Sequence, residues 1–294
     1  MAQLKEIKRK IKSVQNTEKT TKAMKLVSTA KLKRAEEIAK RSKAYAEKLN
    51  VVMKQVADQI ARYKACGFES PYFNPSACGV VDIIFVTADK GLCGGFNAQT
   101  IKTVKNMRDK YIAEGKTVRL RCVGKKGSEF FKFKGIDLLE SVVGLSSAPD
   151  YDKSKVIIAA ALQDYLEGQS EKVVLVYNGY KSMIAQELKI VDLLPLSEVC
   201  DTVEPAGSMI DIEPSENEEE VLNALIAKYI EHNLYFALID SLAAEHSARM
   251  QAMDAASKNA KQMVKQLTLK YNKARQEAIT TELVEIISGM EAIS

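Results

Sequence analysis

The chain has 294 residues, 46% of them hydrophobic, which is enough apolar material to bury a core and excludes whole-chain disorder. Its net charge of +5 is unevenly placed: residues 1–64 carry 18 Lys and Arg against 6 Asp and Glu, and the remainder carries 25 against 32. No stretch approaches the ~18–20 apolar residues of a membrane span, and the basic start from Met1 to Lys12 has no apolar run behind it, so a secretory leader is not expected. The reading is cytoplasmic and unprocessed. Five scattered cysteines (Cys66, Cys78, Cys93, Cys122, Cys200), odd in number and without CxxC spacing, predict thiols and no disulfide framework.

All six prolines and 13 of the 14 glycines lie between residues 67 and 214. Freedom from these breakers predicts an uninterrupted helix at each end of the chain. The first is expected from Gln3 to Ala65, closing at Gly67. The middle alternates. Val80–Thr87 reads as a buried strand, Ala98–Glu114 as a helix, Thr117–Val123 as a strand and Gly127–Phe133 as a short helix. Ser154–Glu167 is then helical, with Lys172–Tyr177 and Glu187–Leu194 as strands. Glu198–Glu213 reads as a linker. The last helix opens at Pro214 with Ser215 as N-cap and Glu218 three residues on, a capping box in an acidic first turn, and runs to Ser288 and Gly289.

At ~1.5 Å per residue these terminal helices reach roughly 90 and 110 Å, too long for a globular core to stabilise. Leu4, Ile7, Ile11 and Val14 step by three and four, as do Ala260, Val264, Leu267, Tyr271, Ala274 and Ala278: two narrow coiled-coil seams. A folded middle between the two helices makes antiparallel pairing the simplest arrangement. The second helix carries 8 basic and 11 acidic side chains, so pairing with the basic first helix is favourable. The predicted fold is mixed α+β and α/β: a long antiparallel coiled coil of the N- and C-terminal helices plus a small Rossmann-like α/β domain. The expected division is 1–66, 67–213 and 214–294.

The most enzyme-like segment is the glycine-rich loop Thr87–Asn97, TADKGLCGGFN. It lies between a strand and a helix, where phosphates often bind, but it has neither GxGxxG spacing nor a Lys-Ser/Thr after the glycines. A tight structural turn is the competing reading and the preferred one. Cys93 has no local base: both histidines, His232 and His246, fall on the last helix, so an inert thiol is expected. No HExxH or Cys/His cluster points to a metal, and no cofactor or catalytic residue is assigned. The basic first helix has only Tyr45 and Tyr63 to stack on bases and no groove-reading motif, which makes nucleic acid a poor fit. A coiled-coil adaptor and a nucleotide-binding α/β protein remain the alternatives.

Three segments carry a resemblance. Ile11–Leu32 (IKSVQNTEKTTKAMKLVSTAKL), Thr87–Asn97 and Tyr271–Gly289 (YNKARQEAITTELVEIISG) resemble, in order, the N-terminal, central and C-terminal signatures of the gamma subunit of bacterial F-type ATP synthases. The resemblance implies a non-catalytic central rotor shaft. It would couple ion-driven rotation of a membrane c-ring to conformational cycling of the catalytic beta subunits. The implied partners are three alpha and three beta subunits, the epsilon subunit and the c-ring. The implied location is peripheral, on the cytoplasmic side of the cell inner membrane. Carried over residue by residue, the subunit contacts fall on Met24, Arg249, Gln276, Thr280, Glu282 and Glu285, and an apical bearing on Ala278, Ile279, Ile286 and Ile287. Met290 departs from the alanine common after that final glycine, and no cysteine-bearing regulatory insertion of the chloroplast type is present.

Overall fold

A computed structural model of the chain describes residues 2–64, 72, 77–196 and 218–291. The closing glycine expected at Gly67, the Glu198–Glu213 linker, the Pro214–Ser215 cap, Cys66 and Cys200 lie outside the described residues. Among the described residues ten elements follow in order: α1 (Ala2–Lys64), β1 (Val80–Val86), α2 (Phe96–Ala113), β2 (Thr117–Val123), α3 (Lys125–Phe133), β3 (Glu140–Val142), α4 (Tyr151–Leu166), β4 (Lys172–Tyr180), β5 (Gln186–Leu194) and α5 (Glu218–Glu291). The chain folds as two compact units, Ala30–Ala248 and Met1–Thr29 with Arg249–Ser294.

The larger unit is built on a five-stranded sheet in the order β3-β2-β1-β4-β5. The first four strands run parallel, and β5 returns antiparallel beside β4 through the turn at 181–185. Both faces are covered, so the central strands are continuous apolar runs rather than alternating ones. Alternate side chains sort to the two faces. Ile84, Val86, Leu175 and Tyr177 pack under α4 (Ile157, Ile158, Ala161) and the first turns of α5 (Ile226, Ile230, Leu234). Ile83, Phe85, Val174 and Val176 pack under α2 and α3 through Ile101, Val104 and Phe131.

The structure corrects several boundaries. β3 is too short, at three residues, to leave a periodic signal. α4 starts at Tyr151 because the Asp150 carboxylate accepts the Lys153 backbone N–H at 3.0 Å, an N-cap just after Pro149. α2 begins at Phe96, directly after the glycine pair, and α3 at Lys125. β4 continues through Gly179 to Tyr180 because its residues pair with β5. α5 does not stop at Ser288–Gly289 but runs through them to Glu291, since a lone glycine weakens a helix by only about 1 kcal/mol.

The smaller unit consists of the start of α1 and the greater part of α5. Lys25 donates to the Asp254 carboxylate at 2.6 Å. From that pair the least exposed positions run outward along both helices, through Thr21, Val14, Ile11, Ile7 and Leu4 on α1 and through Ala260, Val264, Leu267, Tyr271, Ala274 and Ala278 on α5. Seams that extend from one cross-link toward residue 2 on one helix and residue 278 on the other require the helices to be antiparallel. Among the described residues no helix is long and apolar enough to cross a membrane.

Candidate functional site

In the larger unit the Thr87–Asn97 loop is held by its own side chains. The Asn97 side-chain oxygen accepts the Ala88 N–H at 2.8 Å, and its amide reaches the Cys93 sulfur at 3.3 Å. The Thr87 hydroxyl accepts the Gly127 N–H at 3.0 Å. Asp89 accepts the backbone N–H groups of Lys125 and Gly144 at 3.0 and 3.1 Å. Burial pushes the Asp89 carboxyl upward, but these bonds, with those from Ser146 and Ser147, outweigh it and hold the group below its usual range. Leu92 (φ 62°) and Gly94 (φ 59°) take the left-handed conformation that folds the loop tightly. Its apolar residues Ala88, Cys93 and Phe96 are buried against Ala244 and Ala248 of α5. The loop is a structural turn that seats α5, and Cys93 is a buried thiol within it.

α5 is also tied to the β4–β5 hairpin by polar groups. Asp240 is 5% exposed; one carboxylate oxygen accepts the Tyr180 N–H at 3.0 Å and the other accepts Lys189 at 2.8 Å. Seven residues on, and so on the same helix face, the Ser247 hydroxyl donates to the Met183 carbonyl at 2.9 Å and accepts the Gln186 amide at 3.0 Å. Gly179 allows the approach: a Cβ there would lie 2.6 Å from Lys189 Cε and 2.7 Å from Asp240 Oδ2. The Tyr180 hydroxyl meets the Glu36 carboxylate of α1. Burial first and that carboxylate second push the phenol up to about 12. Sequence reasoning missed these residues. The available signal was one acid, Asp240, inside the apolar run Leu234–Ala244.

The expected contact residues all lie in the smaller unit. Met24 is half-buried beside the seam and Arg249 is buried, at 8% exposure. Gln276, Thr280, Glu282 and Glu285 are exposed, and the Thr280 hydroxyl donates back to the Gln276 carbonyl at 2.9 Å. Ala278 is the last half-buried seam position, while Ile279, Ile286 and Ile287 stand at 48%, 60% and 53% exposure. The register explains the change. Counting outward from Lys25 and Asp254, Ala2 falls level with Glu277, so among the described residues none of α1 lies beside α5 beyond that point. The exposed isoleucines therefore sit on a single-helix extension of a two-helix rod, where Leu283 and Val284 are exposed as well.

The sequence pattern of the ATP synthase family matches residues 3–293. The ATP synthase gamma chains of a Nitratiruptor species and of Campylobacter concisus are 61% and 57% identical over 294 residues, covering 100% of both chains in each pair. The chain belongs to the ATP synthase gamma chain family. Among solved structures, a chain from the central stalk and c-ring of the Tetrahymena thermophila mitochondrial ATP synthase is 27% identical with a TM-score of 0.61, covering 81% of this chain and 99% of that one. A chain of the Euglena gracilis mitochondrial ATP synthase, 19% identical, shares the fold over 99% of this chain and 95% of its own, with a TM-score of 0.68. As a gamma chain the molecule is one part of ATP synthase. The segment Thr87–Asn97 forms the turn that seats α5, and Tyr271–Gly289 covers the end of the helix pair and the single-helix extension.

Proposed function

We propose that this gamma chain is the non-catalytic central shaft of an F-type ATP synthase, standing peripherally on the cytoplasmic side of the inner membrane. Its partners in this reading are the ring of three alpha and three beta subunits, the epsilon subunit and the membrane c-ring. Residues 67–213 form its foot, and the terminal segments 1–66 and 214–294 form the axle.

The supporting observation is the single-helix extension past Glu277, whose exposed Ile279, Ile286 and Ile287 have no partner helix in this chain's own register. Apolar side chains at such density on an exposed helix suit a surrounding protein sleeve. Large aliphatic groups without deep interlocking suit a bearing that turns. Gln276, Thr280, Glu282 and Glu285 supply polar groups on the same stretch that make and break contacts with beta, with Met24 and Arg249 completing the set at the seam.

The mechanism is differential contact. A conformational equilibrium shifts only if the partner binds one state more tightly than the other. An asymmetric rod within a threefold ring touches each beta subunit differently at any instant, so turning it moves each site through the same cycle in sequence. Reconstitution with alpha and beta subunits tests the reading. ATP hydrolysis that depends on this chain, at one copy per three alpha–beta pairs, with rotation of a probe fixed to the larger unit, is the expected result. ATPase activity indifferent to the chain would sink it.

A further inference from the structure

We infer that Tyr180 is the hub of a load-bearing joint that fastens both long helices to the end of β4; the inference rests on the shaft reading above. Torque entering the α/β domain must leave it through α1 and α5. α5 is held by the apolar face of the sheet through Ile226, Ile230 and Leu234, and apolar packing is strong but not directional. Resistance to a sideways or twisting load comes from directional bonds.

The structure concentrates such bonds at one place. The Tyr180 backbone donates to Asp240 of α5, and the Tyr180 hydroxyl meets Glu36 of α1, so a single β4 residue grips both helices. Lys189 of β5 grips Asp240 from the other side at 2.8 Å, with its ammonium 5.6 Å from the centre of the Tyr177 ring. A buried carboxylate held by an ammonium and a backbone N–H cannot slide without exposing an unpaired charge, which makes the joint stiff. Beside it a cleft of about 360 Å³ is lined by Glu36, Lys40, Tyr180 and Asp240. On the α1 side, then, the hydroxyl–carboxylate bond adds a directional tie at the rim of this cleft, beside the buried Leu32 and Ala35.

The test compares the full wild-type chain with Tyr180→Phe, Glu36→Gln and the double variant, each assembled with alpha and beta subunits. Both single changes keep side-chain shape, so assembly and unloaded ATP hydrolysis are expected at wild-type levels. Torsional stiffness, read from the angular fluctuations of a probe on the stalled shaft, is expected to fall about twofold. Hydrogen exchange of the amides of residues 31–42 is expected to quicken about tenfold. The double variant should be no worse than Tyr180→Phe alone, since Tyr180→Phe removes the bond while Glu36→Gln, whose amide oxygen still accepts, removes only its charge. Wild-type stiffness in all three variants would overturn the joint while leaving the shaft reading intact. A wild-type chain that fails to rotate would overturn the shaft reading and the joint together. Exchange measured on the unassembled full chain keeps the test decisive where a variant assembles poorly: unchanged exchange at 31–42 also overturns the joint.

Discussion

Asp82 and Arg119 face each other across β1 and β2 as a two-pronged ion pair, Nε to Oδ1 at 2.5 Å and Nη2 to Oδ2 at 2.7 Å. Asp82 is fully buried, and the pair is embedded in a network. Arg121 bonds Glu140 at 3.0 Å and also meets Asp164 of α4, which stands 3.2 Å from Arg119. Removing one partner of such a pair strands the other in a dry environment. Asp82→Ala is expected to destabilise the α/β domain by about 3–5 kcal/mol, because Arg119 loses its two-pronged partner and keeps only Asp164. Urea unfolding followed by circular dichroism checks this, and a loss below about 1 kcal/mol would show that solvent reaches the network.

Gly124 follows β2 with φ of 112°, and a Cβ on it would lie 2.0 Å from the Thr87 carbonyl oxygen. That oxygen belongs to the first residue of the central loop, so the two segments interlock at this glycine. Gly124→Ala combines left-handed strain with a backbone clash and is expected to cost about 3 kcal/mol or more. Thermal unfolding measures it. Gly135→Ala, also at positive φ (67°) but in open space, serves as the control and should cost much less.

The thiols are expected to differ sharply in reactivity. Burial pushes the Cys122 thiol up to about 12, far above its ordinary value, so almost no thiolate exists at a pH of about 8. Cys93 is buried within its loop, whereas Cys78 is exposed. Brief alkylation of the native chain at that pH followed by peptide mapping should label Cys78 and spare Cys122 and Cys93, and denaturant should release all three. Native labelling of Cys122 would mean that the region between β2 and α3 opens readily.

The terminal helices and most strands were legible because each rests on a signal that one chain displays: absence of breakers, seam spacing, or apolar runs between turns. The seam itself was only half legible. On α1 the three–four stepping continues past Val14 through Glu18, Thr21, Lys25 and Ser28 to the buried Leu32 and Ala35. Those middle positions are polar, so a search for apolar residues stops too early. Thr21 is tolerated there because its hydroxyl donates back to the Thr17 and Glu18 carbonyls, and Lys25 because Asp254 receives it. β3 and the grip of Asp240 were not legible for a different reason: both are made by partners distant in the chain, and the local trace is only a three-residue strand and one acid in an apolar run. The single-helix extension followed from the register, which one cross-helix pair sets and no spacing predicts.

Arg249 and Gln276 contrast in environment, buried at 8% exposure and exposed, although both are proposed contacts of beta. Gln276→Leu therefore tests contact alone and is expected to lower ATPase or coupling in the assembled complex several-fold, without loss of helix stability. Arg249→Leu should impair both coupling and the thermal stability of the chain, because a buried guanidinium is also a structural group. Wild-type rates in both variants would remove them from the contact surface.

The cross-link between Lys25 and Asp254 gives the helix pair a pH dependence with a definite sign. Lys25 first and Lys258 second hold the Asp254 carboxyl down to about 2, below its ordinary value. A group whose folded pKa is depressed binds more protons when unfolded, so its contribution is fully present above the unfolded value of about 3.9. It is lost progressively as pH falls from there through about 2. Acid titration of the chain should loosen the helix pair across that window. Asp254→Asn should flatten the response there, while leaving stability nearly independent of pH between about 5 and 7 as in the wild type. Carbon-detected NMR of the Asp254 carboxyl provides the direct check. A midpoint near its ordinary value of about 3.9 would mean that the lysine does not hold it in solution, and the register of the rod would then rest on its apolar seam alone.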